Sequence, residues 1–390
     1  MFDRNDHRDL RMTQSWSVLI AADKFKGSLS AAEVAEHVAA GIRRARPETA
    51  VTALPVADGG DGTVDAAVAG GFEPVEVEVT GPLGLSVAAR FALRGRTAVV
   101  EMAQAAGLSL LPPSTFAPMT ATTYGTGELI AAALDAGATR IILGVGGSAT
   151  TDGGAGMLTA LGARLLDEDG DPIPWGGAPL RELTSADLSG LDPRLKDTEF
   201  VLASDVDNPL TGPQGAASVY GPQKGADPLE IEILDGALTH FTEVLARAEG
   251  SRVEELAKAP GAGAAGGIGF GALLGLDAAF RPGIEVLLEV LGFREALAAA
   301  DVVITGEGSL DEQTLRGKAP AGVAAEARAA GKRVLAVCGR LALDERALAG
   351  AGIEAAYPLS ALESNPSRSM DEAGPLLERV SAQLAEERLK

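Results

Sequence analysis

The chain has 390 residues, 46% apolar and 22% charged, enough for two or three lobes with real cores and too apolar for disorder. Its net charge of −21 argues against nucleic acid or an anionic membrane as partner, so an anionic ligand would need a local reversal of sign. A single cysteine, Cys338, excludes a disulfide framework within the chain, fits a cytoplasmic home and reads as a small buried hydrophobe.

Residues 1–11 are polar and lack the apolar stretch of a signal peptide. Residues 1–14 are expected to form a disordered or additional tail, with Met12 as an alternative start. Residues 17–22 read as a strand that leads into Asp23-Lys24-Phe25-Lys26-Gly27-Ser28. A helix follows, with Ser30 and Glu33 as a capping box and Val34, Val38 and Ile42 on one face. The loop is either an anion site at a helix N-terminus or a plain connection with surface lysines. Residues 51–56 form the next strand, and 64–69 begin a helix. Between them, Asp58-Gly59-Gly60-Asp61-Gly62-Thr63 sets two acids among glycines. Such a loop suits a hard cation or a hydroxyl proton, or is an Asp-Gly turn. This β-loop-α-β-loop-α opening is the pattern of a parallel sheet.

From about residue 80 the texture changes. Segments 75–79 and 87–93 alternate like antiparallel strands, and 140–145 is a further strand. The glycine-dense turn GVGGSATTDGGAG at 144–156 then precedes a helix expected over 157–166. Gly146, Gly147, Ser148, Thr150, Asp152 and Gly153 have the composition of a phosphate cradle, although no Walker lysine follows. A strand at 200–203 runs into Asp205, Asp207 and Asn208, where Pro209 prevents immediate helix formation. This acid-amide group can accept a hydroxyl proton, hold a metal or make an Asx turn. A long helix over 229–248 precedes the glycine-rich segment 261–275. That segment matches G-x-G-x-x-G at 261–266, but it follows helix-like 253–257 and not a strand, so the dinucleotide context is missing. The uncharged run 259–276 is short of the ~20 residues of a membrane span.

After about residue 280 the alternation returns, with strands at 302–305 and 334–337 and helices at 319–330 and 376–388. The segment DVVITGEGSLDEQTLRGK, 301–318, brings Glu307 and Asp311 to a strand end, followed by Arg316 and Lys318. The expected architecture is α/β. A Rossmann-like parallel-sheet lobe comes from 15–80 plus 281–390, and a second α/β lobe is inserted at 81–280. His7, His37 and His240 all lie outside the glycine-rich and acidic motifs. A His-ligated zinc or a Ser-His-Asp triad is therefore not expected, and any general base is a carboxylate.

Six segments taken together, DKFKGSLSA, ADGGDGT, GVGGSATTDGGAGML, DVDNPLTGPQGAASVYGPQKGA, AAGGIGFGALL and TGEGSLDEQTLRGK, resemble the bacterial glycerate kinases of type I. The chain departs from that pattern at Lys24, where Ser is usual, at Asp61, where Glu is common, and at Thr151, where Asn is common. The resemblance implies ATP and Mg²⁺ as cofactors and D-glycerate as substrate, with 2-phosphoglycerate as product. Formation of 3-phosphoglycerate or action on a related hydroxy acid is the alternative. On that reading Asp205, Asp58 and Lys26 are candidate catalytic residues. Lys24, Ser28, Asn208, Arg316, Asp311 and Gln313 are substrate-binding candidates. The 146–153 turn and Lys318 would hold phosphate, and Asp61 and Glu307 the metal. No nucleic acid or membrane partner is expected, and a homodimer is left open. A nicotinamide-dependent dehydrogenase and a non-catalytic sugar-acid binding protein are the competing classes.

Overall fold

A computed structural model describes residues 16–390. The expected tail at 1–14 lies outside the described residues. In chain order the strands are β1 (Ser17–Ala22), β2 (Ala50–Ala53), β3 (Glu73–Thr80), β4 (Ser86–Arg94), β5 (Thr97–Glu101), β6 (Arg140–Gly144) and β7 (Arg164–Leu166). They continue with β8 (Ser185–Asp187), β9 (Glu199–Ala203), β10 (Ala279–Arg281), β11 (Val302–Leu310), β12 (Arg333–Leu341) and β13 (Ala355–Pro358).

The first sheet has the order β13-β12-β11-β1-β2 and is parallel throughout. Both ends of the chain supply it. Its central strands are apolar on both faces, as a sheet covered on both sides requires. Helices Ala31–Ala45 and Ala373–Arg388 cover one face through Val34, Val38, Ile42, Leu377 and Val380. Ser30 and Glu33 start the first of these helices as a reciprocal capping box. Helix Ala319–Ala329 covers the other face. The second sheet has the order β10-β9-β6-β5-β4-β3 and is mixed. Here β3 and β4 pair antiparallel as their alternation predicts, while β5, β6, β9 and β10 run parallel. One apolar cluster joins the sheets: Leu19 and Val303 from the first share it with Val99, Ile142 and Val201 from the second.

Two local expectations are corrected. The helix expected over 157–166 is observed as Ala155–Ala160, and the chain then turns into β7. Gly162 ends the helix with φ +112°, where a Cβ would also lie 2.2 Å from the Gly190 carbonyl oxygen. The strand expected over 302–305 extends to Leu310, so Glu307 lies within β11.

Segment 261–266 does follow a helix, Arg252–Ala257, and it packs against the 144–156 turn. Gly153 N–H donates to the Gly266 carbonyl (3.0 Å). Among the described residues no helix is long and apolar enough to cross a membrane.

Cys338 is fully buried on β12. Burial first, and then the neighbouring Glu307 carboxylate, push its thiol up to about 12. The folded protein is therefore expected to leave Cys338 unlabelled by a thiol reagent at pH 8, with one equivalent reacting in denaturant. Rapid labelling of the native chain would contradict the buried placement.

Candidate functional site at the sheet edge

The order of the first sheet reverses between β1 and β11. β1 continues outward to β2, whereas β11 continues to β12 and β13 on the other side. Parallel sheets open a crevice at the carboxyl ends of the strands flanking such a reversal. Here the crevice is a cavity of about 900 Å³, lined by residues including Asp23, Lys26, Asp58, Asp61, Glu307 and Lys318. Both candidate loops from the start of the chain and the 301–318 segment thus meet at one place.

The 23–28 loop is built to hold its lysines at the rim. Asp23 N–H donates to the Gly306 carbonyl (2.8 Å), which pins the end of β1 to β11. Buried Phe25 pairs with Leu29 and anchors the loop, and Lys26 remains exposed. Ser28 lines the cavity, but its hydroxyl donates to the Phe25 carbonyl (3.0 Å). Lys24 donates to the Asp61 carbonyl and stands 3.9 Å from the Asp61 carboxylate, so this additional cation is engaged by Asp61.

The 58–63 loop is pressed between the sheets. A Cβ on Gly146 would lie 2.4 Å from the Gly60 Cα, and one on Gly283 would lie 1.9 Å from the Asp58 carbonyl oxygen. Only glycine tolerates backbone approaches this close. Buried Glu101, at the end of β5, accepts from Gly62 N–H (3.1 Å) and Val64 N–H (3.0 Å) at the start of helix Thr63–Ala69. A carboxylate there satisfies otherwise orphaned helix donors.

Asp58 is the common neighbour of the other acids. Desolvation first, then the Asp58 charge, raise the Asp23 carboxyl to about 7. The same two causes in the same order raise Asp205 to about 7. Glu307 is also raised, chiefly by burial, while the Thr314 hydroxyl donates to it and Lys318 opposes the shift. Asp205 does not line the main cavity. It opens onto a second one, of about 770 Å³, and accepts from Gly283 N–H (2.9 Å). Its charge coupling to Asp58 nonetheless ties it to the same cluster.

The 144–156 turn contributes less surface than its composition predicts. Gly147 reaches the main cavity. Ser148, Thr150 and Asp152 are buried. The Asp152 carboxylate accepts from Thr123 N–H and Oγ1 (both 2.8 Å), Gly154 N–H (3.1 Å) and Gly156 N–H (3.3 Å). These donors favour its anion, whereas burial raises its carboxyl above the ordinary value. Its place is in the interior that shapes the turn, as is that of Gly153.

Asn208 is also absorbed locally, donating to the Gln214 carbonyl (2.8 Å) and accepting from the Tyr220 hydroxyl (2.7 Å). Asp311 lines the main cavity and accepts from Gln313 N–H (2.9 Å). Gln313 Oε1 in turn accepts from Lys318 (3.3 Å). The side chain of Arg316 lies outside the described residues.

Three residues that the motifs did not single out matter here. Asp23 stands at the switch point itself. Arg340 follows β12's Gly339 into the cavity wall. Lys224 is 1% exposed and donates to the Thr150 carbonyl and to Ser148 Oγ (3.3 Å). Burial pushes Lys224 down to about 7, against the pull of Asp152. Asp23 and Lys224 both lie inside quoted motifs, yet their burial has no local signature.

Mg²⁺ is normally held by one or two carboxylates together with substrate phosphates, not by an all-protein cage. The donors fit that mode. Hard carboxylates of Asp58, Asp61 and Glu307 line one cavity with lysines, while no group of three His, Cys, Asp or Glu among the described residues could hold a metal alone.

The family model described as the glycerate kinase family matches residues 18–388. Similarity to the glycerate kinase of Bacillus subtilis is 46% identity over 371 residues, covering 94% of this chain and 96% of the relative. The glycerate 2-kinase of Escherichia coli K12 is 46% identical over 344 residues, covering 87% and 89%. Among solved structures, a Salmonella typhimurium LT2 protein assigned as glycerate kinase 2 superposes with a TM-score of 0.82 at 44% identity, covering 96% of this chain and 98% of that one.

Proposed function

The chain belongs to the glycerate kinase family and is a kinase, and from that premise we propose that it transfers the γ-phosphoryl group of ATP to the 2-hydroxyl of D-glycerate with Mg²⁺. The observation that carries this reading is the cavity at the β1/β11 switch point, where Lys26 and Lys318 stand beside Asp23, Asp58 and Glu307. Those lysines supply point cations for phosphate oxygens in a lining that otherwise stays acidic, so the acids beside them would need a bound Mg²⁺ to accept an anionic substrate on a protein of net charge −21.

Phosphoryl transfer depends mainly on positioning and charge stabilisation. Lys26 and Lys318 hold phosphate oxygens at the rim. Asp58 accepts the hydroxyl proton as the new O–P bond forms and the bond to the ADP oxygen breaks. Asp23, which lines the same cavity and is raised to about 7, exchanges protons with bulk water near neutrality and returns Asp58 to its starting state. Glu307 and Asp61 would hold Mg²⁺, which neutralises phosphate charge when bound. The 146–147 glycines shape the wall beside Asp61.

A coupled assay of ADP release with D-glycerate, glycolate and L-lactate tests the reading. Turnover is expected with D-glycerate, and NMR of the product should find the phosphate ester on C2. An ester on C3 would replace the regiochemistry. Binding of D-glycerate without ATP consumption would instead support a non-catalytic binding protein.

A further inference from the structure

We propose that the nucleoside end of ATP lies over the carboxyl ends of β12 and β13, beneath the short helix Pro366–Asp371, with its phosphates directed back along the cavity toward β1 and β11. This placement rests on the kinase reading and deepens it.

Size is the first argument. Pockets of roughly 300–1,000 Å³ suit drug-sized ligands. The three-carbon acid D-glycerate would leave most of the observed 900 Å³ empty.

Sheet order is the second argument. The strands β1, β11, β12 and β13 are successive neighbours. Strands stand about 4.8 Å apart, so three spacings span about 14 Å, the reach of an extended nucleotide from terminal phosphate to base. The lining residues change in the same direction. At β1 and β11 they are Asp23, Lys26 and Glu307; at the end of β12 and just past β13 they are Leu341 and Leu359. An apolar slot with a few polar groups is what a purine ring requires. Glu363 and Ser360 stand at this end as partners for ribose hydroxyls, and exposed Arg340 lies at the end of β12 between the two regions.

The third argument is the roof. Met370 is 47% exposed, on the cavity wall. A Cβ on Gly27 would lie 2.9 Å from the Met370 Cε. Met370 therefore carries the helix back over the lysine loop, and a ligand running from Leu341 and Leu359 to that loop can lie under it. A flexible thioether packs well on a flat aromatic face.

The test uses the full chain with Ser360→Trp and Met370→Ala, and with Ala325→Trp as a control in the second cavity. Steady-state kinetics with ATP and D-glycerate are combined with displacement of a fluorescent ADP analogue by ADP. Ser360→Trp is expected to raise KM for ATP and the Kd for ADP by about tenfold or more, and Met370→Ala by about threefold, with KM for D-glycerate within about twofold. Ala325→Trp should leave ADP affinity unchanged. Unaltered ADP affinity in Ser360→Trp and Met370→Ala, or a loss confined to Ala325→Trp, would overturn the placement while leaving the kinase intact. A wild-type chain that neither binds ADP nor releases it on D-glycerate would remove the kinase reading and the placement together.

Discussion

Replacing Asp58 with Asn is expected to lower kcat by about 10²–10⁴-fold, the range of general acid–base contributions, and at the same time to stabilise the folded chain above neutral pH. Asn keeps the size and the oxygen that accepts from Gly60 N–H (3.1 Å). It removes the charge that helps raise Asp23 and Asp205 to about 7. The sign follows from proton counting. An Asp at 3.8 when unfolded and about 7 when folded binds more protons in the native state between those values. Stability therefore falls as pH rises through that window, and the full cost is present at pH 8. Without the Asp58 charge the folded values drop and part of the cost disappears. The expected gain is about 1 kcal/mol at pH 8, mostly through Asp23 because Asp205 is open to solvent and screened, and close to nothing at pH 4. Urea unfolding at both pH values, beside kcat, measures the two effects. A variant that is less active and also less stable at pH 8 would show that Asp58 is structural. One with near-normal turnover would remove its catalytic role.

The trade between activity and stability explains why these residues are legible as a group and not one by one. Strand ends followed by glycine and acid can be read directly, because the β-period and the turn chemistry are local. The 23–28, 58–63 and 301–318 segments therefore announce a sheet edge without any structure. What burial does to each acid is not local. Asp23 gains its shift first from burial and then from Asp58 on another loop, with a further push from Glu307 on β11. Glu101 reaches Val64 across 37 positions, and β5 carries no motif of its own. The 144–156 turn shows the opposite failure. Its composition describes a phosphate cradle, but Asp152 satisfies helix and loop donors in the interior. Glycine density alone does not distinguish a loop that meets a ligand from one that meets the neighbouring backbone. Gly266 makes the point, since a Cβ there would lie 1.9 Å from the Thr150 carbonyl oxygen.

Lys224→Met is expected to flatten a rise in stability with pH that the wild-type chain shows between pH 7 and pH 9. Lys224 moves from an ordinary 10.5 in the unfolded chain to about 7 in the folded one. Between those values the unfolded state holds the additional proton, so native stability increases with pH, at up to about 1.4 kcal/mol per pH unit. The wild-type advantage over Lys224→Met should therefore grow by about 2–3 kcal/mol from pH 7 to pH 9. Met fills similar volume and abolishes the titration. It also leaves the Thr150 carbonyl without its ammonium or amine donor and removes the Lys224 donation (3.3 Å) to Ser148 Oγ, which keeps its own bond to the Ala265 carbonyl (3.0 Å). Ser148 adjoins Gly147, whose backbone stands so close to Asp61 that a Cβ would lie 1.8 Å from Oδ1. Loosening this turn should lower kcat about tenfold at pH 9, where the wild-type lysine is neutral, with a smaller effect on KM. Equal pH slopes for the two proteins would mean that Lys224 stays charged in the interior. Unequal slopes with unchanged kcat would make it a structural clamp with no reach into the cavity.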